Sequence, residues 1–312
     1  MNLRQLATFV GVYEERSFSK AARRLNATQS GLSMQTQLLE ERIGTRLFDR
    51  SPRGVTPTYA GQRLYERAVS VMRNVDEMET EMKSLSQGVS GDLKVGLMPT
   101  FTRSVLAPSL LAFMRNYPNV RVTVIEAYSA ALTEGVVSGD YDFAIVPRAP
   151  HRDGVRTRLL GTDREILVRR PDQSIPHLQT VQLSEMPPLK LVLPSKTNAR
   201  RIAFEAYAEL HGIRIATVLS MDAMIATLEF VAQSDFVTIL PETICVNDID
   251  GRVRSLHPLA DPPLTVDYAI IEPAKTAIPP AATLFLDEIA SQYSQLKNAW
   301  TSVKGVRGHH AG

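Results

Sequence analysis

Residues Ser17–Ile43 read SFSKAARRLNATQSGLSMQTQLLEERI, two short helical patterns on either side of a tight polar break. In the first, Ser19 is placed to cap a helix whose Ala21, Ala22 and Leu25 share one face at 3.6-residue periodicity. Asn26 and Ala27 make the break. Thr28 then offers its hydroxyl to the first free amides of a second helix that begins at Gln29 and Ser30. Leu32, Thr36, Leu39 and Ile43 line the inner face of that helix, while Ser30, Ser33, Gln37 and Glu41 face elsewhere. Two helices joined by a turn of a few residues, the second opening with Gln and Ser, form a helix-turn-helix pattern. Short hydrogen-bonding side chains there suit base edges in a DNA major groove. An ordinary helical hairpin shares this pattern, and the following segment tips the balance. Gly44–Gly61, GTRLFDRSPRGVTPTYAG, is turn-rich and basic, with Arg46, Arg50 and Arg53 in or beside a loop broken by Pro52 and Gly54. A short hairpin carrying arginines beside a recognition helix is a wing that touches phosphates.

The charge distribution agrees. Residues 1–60 carry nine bases against five acids, and the remaining chain 26 bases against 28 acids, within a net charge of +2. A basic head suits DNA and a slightly acidic body does not. The 312 residues are too many for one typical domain, and 44% hydrophobic content supports real cores. No apolar run is long enough for a membrane span, Met1–Arg4 does not open a signal peptide, and one cysteine, Cys245, allows no intrachain disulfide framework. These features point to the cytoplasm and away from membranes.

Leu3–Glu15 carries one amphipathic helix, with Leu3, Leu6, Val10 and Tyr13 on a face and Phe9 beside it. From Thr58 to Leu85 runs a long helical pattern in which Leu64, Ala68, Val71, Val75, Met78, Met82 and Leu85 step alternately by four and three. That heptad seam fits a coiled-coil dimer, which would offer two recognition helices to a two-fold site. A single helix lying on the body is the alternative. Ser86–Gly91 is a hinge-like linker. Beyond it, strands alternate with helices, which predicts a mostly parallel sheet with helices on both faces. The predicted strands are 93–98, 120–126, 142–146, 165–169, 190–193, 214–219, 236–240 and 265–272. The predicted helices are 103–116, 132–137, 198–211, 222–233 and 283–296, with a crossing segment at Pro147–Pro150 and a loose tail from Val303.

The run AARRLNATQSGLSMQTQLLEERIGTRLFDR, then a wing, then Thr58-x-Ala60-Gly61 opening a long helix, resembles the DNA-binding head of LysR-type transcriptional regulators. The match is dense over roughly the first 65 residues, and the rest follows the family layout with weaker motifs. Two positions depart from it. Met34 stands where the family commonly carries a base, and Gly31, where Ala or Pro is usual, costs about 1 kcal/mol of helix propensity against Ala. The resemblance implies a winged helix-turn-helix domain over 1–58, a coiled-coil linker helix over 59–87 and a two-lobed β/α effector domain of periplasmic-binding-protein type over 92–302. It implies a discontinuous first lobe (about 92–147 and 266–302), a second lobe (about 151–262) and a tail at 303–312. It implies promoter DNA and a small-molecule effector as partners, a homodimer assembling into a homotetramer, and RNA polymerase as a candidate contact.

On this reading Thr28, Gln29, Ser30, Ser33 and Gln35 meet DNA from the recognition helix, and Arg24, Arg50 and Arg53 meet phosphates. In the body, hydroxyls and helix starts just after strands mark an effector site: Thr100, Phe101 and Thr102 after the first strand, Ser129 after the second, Ser195 in the second lobe, and Arg148 at the crossing. With Arg103 and Lys196 nearby, this set suits a small organic anion, probed against the plainer possibility that Thr100, Ser129 and Ser195 are N-caps. Where the family often has Gly-x-Gly, the chain reads Ser234-Asp235-Phe236, so the local turn should differ. Cys245 reads as a small buried residue, His309-His310 lacks a third metal ligand in sequence, and Glu126 and Glu134 frame no nucleophile. No GxSxG, P-loop or HExxH pattern occurs, so no enzyme, metal or cofactor is expected. Two rival readings remain at this stage: a solute-binding or enzymatic β/α protein with an unrelated helical start, and a structural DNA-binding protein that ignores small ligands.

Overall fold

The computed structural model describes residues 1–51, 54–150, 152–172, 174–260 and 262–307. The chain divides into two compact units, Met1–Gly88 with Ala274–Ala277, and Val89–Pro273 with Ile278–Gly312.

The first unit opens with helices α1 (Leu3–Glu15), α2 (Phe18–Arg24) and α3 (Gln29–Ile43), followed by strands β1 (Phe48–Ser51) and β2 (Gly54–Pro57) and the long helix α4 (Tyr59–Gln87). A reciprocal cap starts α1: Gln5 N–H donates to Asn2 Oδ1 at 2.9 Å and Asn2 N–H to Gln5 Oε1 at 3.1 Å. Ser17, not Ser19, caps α2, accepting from Lys20 N–H at 3.3 Å. The chain enters the helix two residues earlier than expected because Phe18 is needed in the core. Thr28 caps α3, and Gly44, left-handed at φ 78°, ends it. Leu32, Thr36 and Leu39 are buried, whereas Ile43, expected on the same face, is 41% exposed at the last turn. The core joins Leu6, Phe9, Phe18, Leu39, Leu47 and Phe48.

The two wing strands pair antiparallel from Phe48↔Pro57 to Ser51↔Gly54. Glu40 fastens them to α3, its Oε1 accepting from Leu47 N–H at 2.7 Å and Phe48 N–H at 3.2 Å. At the start of α4, Gly61 N–H donates to the capping hydroxyl of Thr58, which itself donates to Arg46 O at 2.8 Å. A Cβ on Gly61 would lie 2.2 Å from Leu47 O, so only glycine lets the helix start beside the wing. The Thr58-x-Ala60-Gly61 motif is thus a cap plus a close approach.

The second unit has two lobes. The first holds β3 (Gly91–Leu97), α5 (Pro99–Ser104), α6 (Leu106–Asn116), β4 (Val120–Glu126), α7 (Ser129–Ser138) and β5 (Phe143–Pro147). Next come β6 (Val155–Arg169), β7 (Leu189–Leu193), α8 (Ala199–Leu210), β8 (Ile215–Ser220), α9 (Met224–Gln233) and β9 (Thr238–Pro241). A 3-10 turn (Glu242–Asp248), β10 (Ser255–Pro258), β11 (Thr265–Pro273) and α10 (Pro280–Arg307) complete it. Strands run in the order β10-β6-β11-β5-β3-β4, with β9 also on β6, and β7 pairs β8. Among the described residues, only β3 with β4 and β5, and β7 with β8, are parallel pairs of named strands. Strand β11 runs antiparallel to both β5 and β6, and β6 antiparallel to β9 and β10. The expected mostly parallel sheet is therefore mixed, because β11 re-enters the first lobe from the second and so runs against the strands it joins.

Strand β11 pairs with β5, and Phe285 and Ile289 of α10 join the core of the first lobe. The crossing itself lies inside β6 rather than at Pro147–Pro150. Residues 155–164 of β6 pair with β11, and 165–169 pair with β9 and β10. Phe101, Phe113, Phe143, Phe285 and Ile289 fill the first lobe. Leu167, Leu191, Phe204 and Ile239 fill one side of the second, and Ile166, Val168, Leu240 and Ile244 the other. Helix α10 continues to Arg307 instead of giving way to a tail at Val303. It carries Trp300 into the second lobe's core, where Nε1–H donates to Glu242 O at 2.9 Å. Lys297, one turn earlier, meets Asp163 at 2.8 Å beside the crossing in β6.

Candidate functional site

In the head, the outward stripe of α3 is Ser30, Met34, Gln37 and Glu41, all exposed, with Ser33 and Gln35 half-buried beside it. Met34 is 58% exposed at the middle of that stripe, so a long apolar side chain stands where the helix would enter a groove. Gln37, which the sequence reading left off the candidate set, lies on the same stripe and contacts Glu41 at 3.1 Å. It lies seven residues, about two helical turns, from Ser30, and that periodicity is the available signal.

Thr28 is spent partly on capping: it accepts from Gly31 N–H at 3.2 Å and from Ser30 Oγ at 3.4 Å. Gln29 is held by α2, its Oε1 accepting from Ser19 Oγ at 3.0 Å, which leaves its amide NH2 to donate. That bond orients the side chain at the tip of the recognition helix. Arg24 sits in an ion-pair cluster with Glu14 at 2.7 Å and Glu15 at 3.3 Å. Glu14 is shared with Lys275 at 2.6 Å, and the Arg24 side chain stays 49% exposed. Arg53 and the side chains of Arg50 and Leu85 lie outside the described residues.

Along α4 the heptad seam is divided. Ala68 is buried in the head core and Leu64 packs against it. Val71, Met78 and Met82 are 41%, 56% and 53% exposed and form an apolar stripe. The near end of the seam therefore builds the head, and among the described residues Val71, Met78 and Met82 beyond it stay exposed.

In the second unit a cavity lies between the lobes. Met98, Pro99, Thr100 and Tyr128 line it from the first lobe, and Asn198, Arg200, Met221, Met224 and Thr238 are among those lining it from the second. It holds about 20 Å³, room for a single water. The starts of α7, α8 and α9 border it, and those of α7 and α9 have no side-chain cap, so their first amides remain as donors. Asn198 caps α8, accepting from Arg200 N–H at 3.0 Å. Arg200 lies against Glu165, with Nε to Oε1 and Nη2 to Oε2 both 2.7 Å, and Nη2 also donates to Ile239 O at 2.8 Å. Burial pushes the Glu165 carboxyl up from its ordinary value, and the paired guanidinium opposes that push. The Tyr128 phenol is raised first by burial and then by Asp222, so it is a neutral donor.

Of the effector candidates read from sequence, Thr100 lines this cavity and is 1% exposed. Phe101 does not: its ring is fully buried in the first lobe, edge-on to Tyr268 at 5.0 Å, because one residue along a helix turns a side chain by about 100°. Thr102 donates to Glu126 and lines a groove of about 400 Å³ with Arg103, Glu229 and Arg254. Arg148 lines another groove, of about 300 Å³, beside Asp267. Ser129 is the first residue of α7, not its cap, and Ser195 N–H donates to Asp222 Oδ1 at 2.9 Å; neither lines the cavity. Arg103 is taken up by Asp248 at 2.8 Å and by Ile244 O. Tyr128 belongs to the stretch read from sequence as a ligand-binding place, although Ser129 was the residue chosen there; Asn198 and Arg200 were missed. Asn198 was legible as a helix cap, but nothing local marks Arg200 as facing inward.

Phe236 packs on Phe230 at 5.3 Å and is not in the cavity wall. Cys245 is fully buried, and burial raises its thiol well above the ordinary value. Glu126 accepts from Thr102, and Glu134 pairs with Arg152. Among the described residues, no helix is long and apolar enough to cross a membrane.

Residues 3–62 match the model for bacterial regulatory helix-turn-helix proteins of the lysR family, and residues 86–294 match the LysR substrate binding domain. The nitrogen assimilation regulatory protein nac of Escherichia coli is 26% identical over 90% of this chain and 92% of that protein. The transcriptional regulator BenM of Acinetobacter baylyi is 27% identical over 84% and 86%. Crystal structures of full-length BenM (24% identity, TM-score 0.56, covering 95% and 97%) and of CbnR (24%, 0.55, 93% and 100%) share the fold. A helix-turn-helix head whose caps and wing lock a recognition helix outward, joined by one long helix to a two-lobed domain with an interlobe cavity, and matched along nearly its whole length, places this chain in the LysR family of DNA-binding transcriptional regulators.

Proposed function

We propose that the chain reads a two-fold promoter site through α3 and answers to a small organic anion held between the lobes of its second unit. Ser30, Ser33, Met34 and Gln37 enter the major groove, Gln29 and Thr28 meet its edge, and Arg50 and Arg53 take phosphates. Val71, Met78 and Met82 pair with a second copy, and two such dimers form a tetramer. The protein works in the cytoplasm, where its DNA is, and performs no catalysis.

The observation that carries the effector half is the donor set around the interlobe cavity: Thr100, Tyr128, Asn198 and Arg200, with free helix amides beside them. An anion that binds one lobe arrangement better than another shifts the balance by its differential affinity, about 1–3 kcal/mol in typical regulators. The test is footprinting of the purified protein on the DNA beside its own gene, at two salt concentrations, with and without small carboxylates. A dyad-symmetric footprint with steep salt dependence, altered by a carboxylate, is expected. Featureless protection under every condition would remove the specific-reader reading.

A further inference from the structure

The interlobe cavity has a chemistry narrower than that of an anion site in general. We infer that its ligand is a monocarboxylate on a compact apolar body. This rests on the reading that the effector binds between the lobes.

The charge comes first. Among the described residues, Arg200 is the only charged side chain in the wall. Three of its donors are accounted for by Glu165 and Ile239 O, which leaves Nη1 to meet a ligand. That one open nitrogen, with the neutral donors beside it, can meet one carboxylate but not two or three in a buried site. A dicarboxylate or tricarboxylate would bury an anion with no partner.

The donors come next. Thr100 is 1% exposed, and its hydroxyl has only a 3.5 Å approach from Tyr268 OH, so its own hydrogen is available. Tyr128 offers a neutral phenol and Asn198 a side-chain NH2. Among the described residues, no carboxylate lines the cavity to receive an ammonium group, which argues against amines and amino acids. Thr238 is satisfied by Val192 O at 2.9 Å.

The rest of the wall is apolar and pliable: Met98, Met221 and Met224, with Ile239 and Leu240. Methionines reshape around a flat or branched body at little cost. The present volume of about 20 Å³ admits one water, whereas a benzene-sized group needs roughly 150 Å³. Entry therefore requires the lobes to part or the three methionines to swing, and the ligand holds the wider arrangement.

The test is calorimetric titration of the full chain with benzoate, phenylacetate, isovalerate, succinate, citrate, glutamate, benzamide and benzylamine at millimolar concentration. Benzoate, phenylacetate or isovalerate should bind and the others should not. Thr100→Val should weaken binding about tenfold, as for a lost hydrogen bond to a charged group. Tyr128→Phe should act in the same direction and guards against misfolding of the first variant. Met224→Lys, which adds a second cation to the wall, should move the preference toward succinate. If succinate, citrate or glutamate binds the unmodified chain best, with Thr100→Val weakening it, the interlobe site stands and the monocarboxylate assignment falls. If benzamide matches benzoate, the anion itself is wrong. If none of the compounds binds, or binding ignores both Thr100→Val and Tyr128→Phe, the site falls along with the inference.

Discussion

Gly61→Ala sets two effects of opposite sign against each other. By helix propensity alone the change should help, by at most about 1 kcal/mol. The structure argues the reverse. The new methyl carbon would sit 2.2 Å from Leu47 O and 3.2 Å from Leu47 C. Ordinary carbon–oxygen contacts begin near 3.3 Å, so the helix start and the wing must part by roughly 1 Å. The obstacle is main chain, and the same carbonyl accepts from Thr58 N–H at 3.0 Å, so moving it strains the cap of α4. Overpacking typically costs about 1–3 kcal/mol and a weakened hydrogen bond up to about 1 more. After the propensity gain, a net loss of about 1–3 kcal/mol remains, a factor of roughly 5 to 150 in local opening. Amide hydrogen exchange on the full chain would read this as reduced protection in α1 and the first turns of α4, with the second unit unchanged. Affinity for specific and random DNA should fall together, because the wing is displaced. Equal or greater protection in the variant would refute the close-approach argument.

Met34→Arg adds a cation to the outward stripe of α3 and should tighten DNA binding while steepening its salt dependence by about one counterion; an unchanged slope in binding at several salt concentrations would show that this position misses the backbone. Gln29→Ala should relax sequence choice more than general affinity, and Ser19→Ala should do so more weakly by freeing the Gln29 amide; a uniform loss across random and specific DNA would argue against base readout. Met78→Glu with Met82→Glu should convert the assembly toward monomers in sedimentation, since both lie on the open end of the seam. His257 is enclosed, and burial pulls its imidazole from 6.5 to about 4. It is neutral in the fold while the unfolded chain takes a proton below about 6.5, so stability is untouched above that pH and lost as pH falls toward 4, by roughly 3 kcal/mol in full. His257→Asn should flatten that part of the melting profile; a slope identical to the unmodified protein would place the acid sensitivity elsewhere.

What could be read from sequence was what short-range chemistry decides. Thr28 and Thr58 announced themselves as caps, and the outward stripe of α3 followed from period alone. Ser17 and Ser19 are equally good caps, and the choice between them depends on where Phe18 must point, a tertiary fact. The heptad from Leu64 to Leu85 could not reveal that Ala68 serves the head core, because an apolar face reads the same whether its cover comes from the same chain or another. The mixed direction of the sheet depends on β11 returning from the second lobe, which no local pattern encodes. The cavity was hardest to read. Its wall comes from several separate segments, and Thr100 and Phe101 are neighbours in sequence whose side chains serve opposite surroundings. Arg200 is one of two adjacent arginines; Arg201 turns instead to Pro194 O, Ser220 and Glu205.

The placement of Trp300 also has an optical consequence. It is the chain's one tryptophan, carried by a helix whose Phe285 and Ile289 belong to the first lobe while the indole itself is buried in the second. Its N–H is held by Glu242 O at the head of the 3-10 turn that follows β9. Any rearrangement of the lobes that draws α10 along the crossing must lengthen that bond or wet the ring. The colour and intensity of tryptophan emission then report the lobe arrangement directly, in the unlabelled protein, and a ligand that opens the cavity announces itself as a red shift before its identity is known.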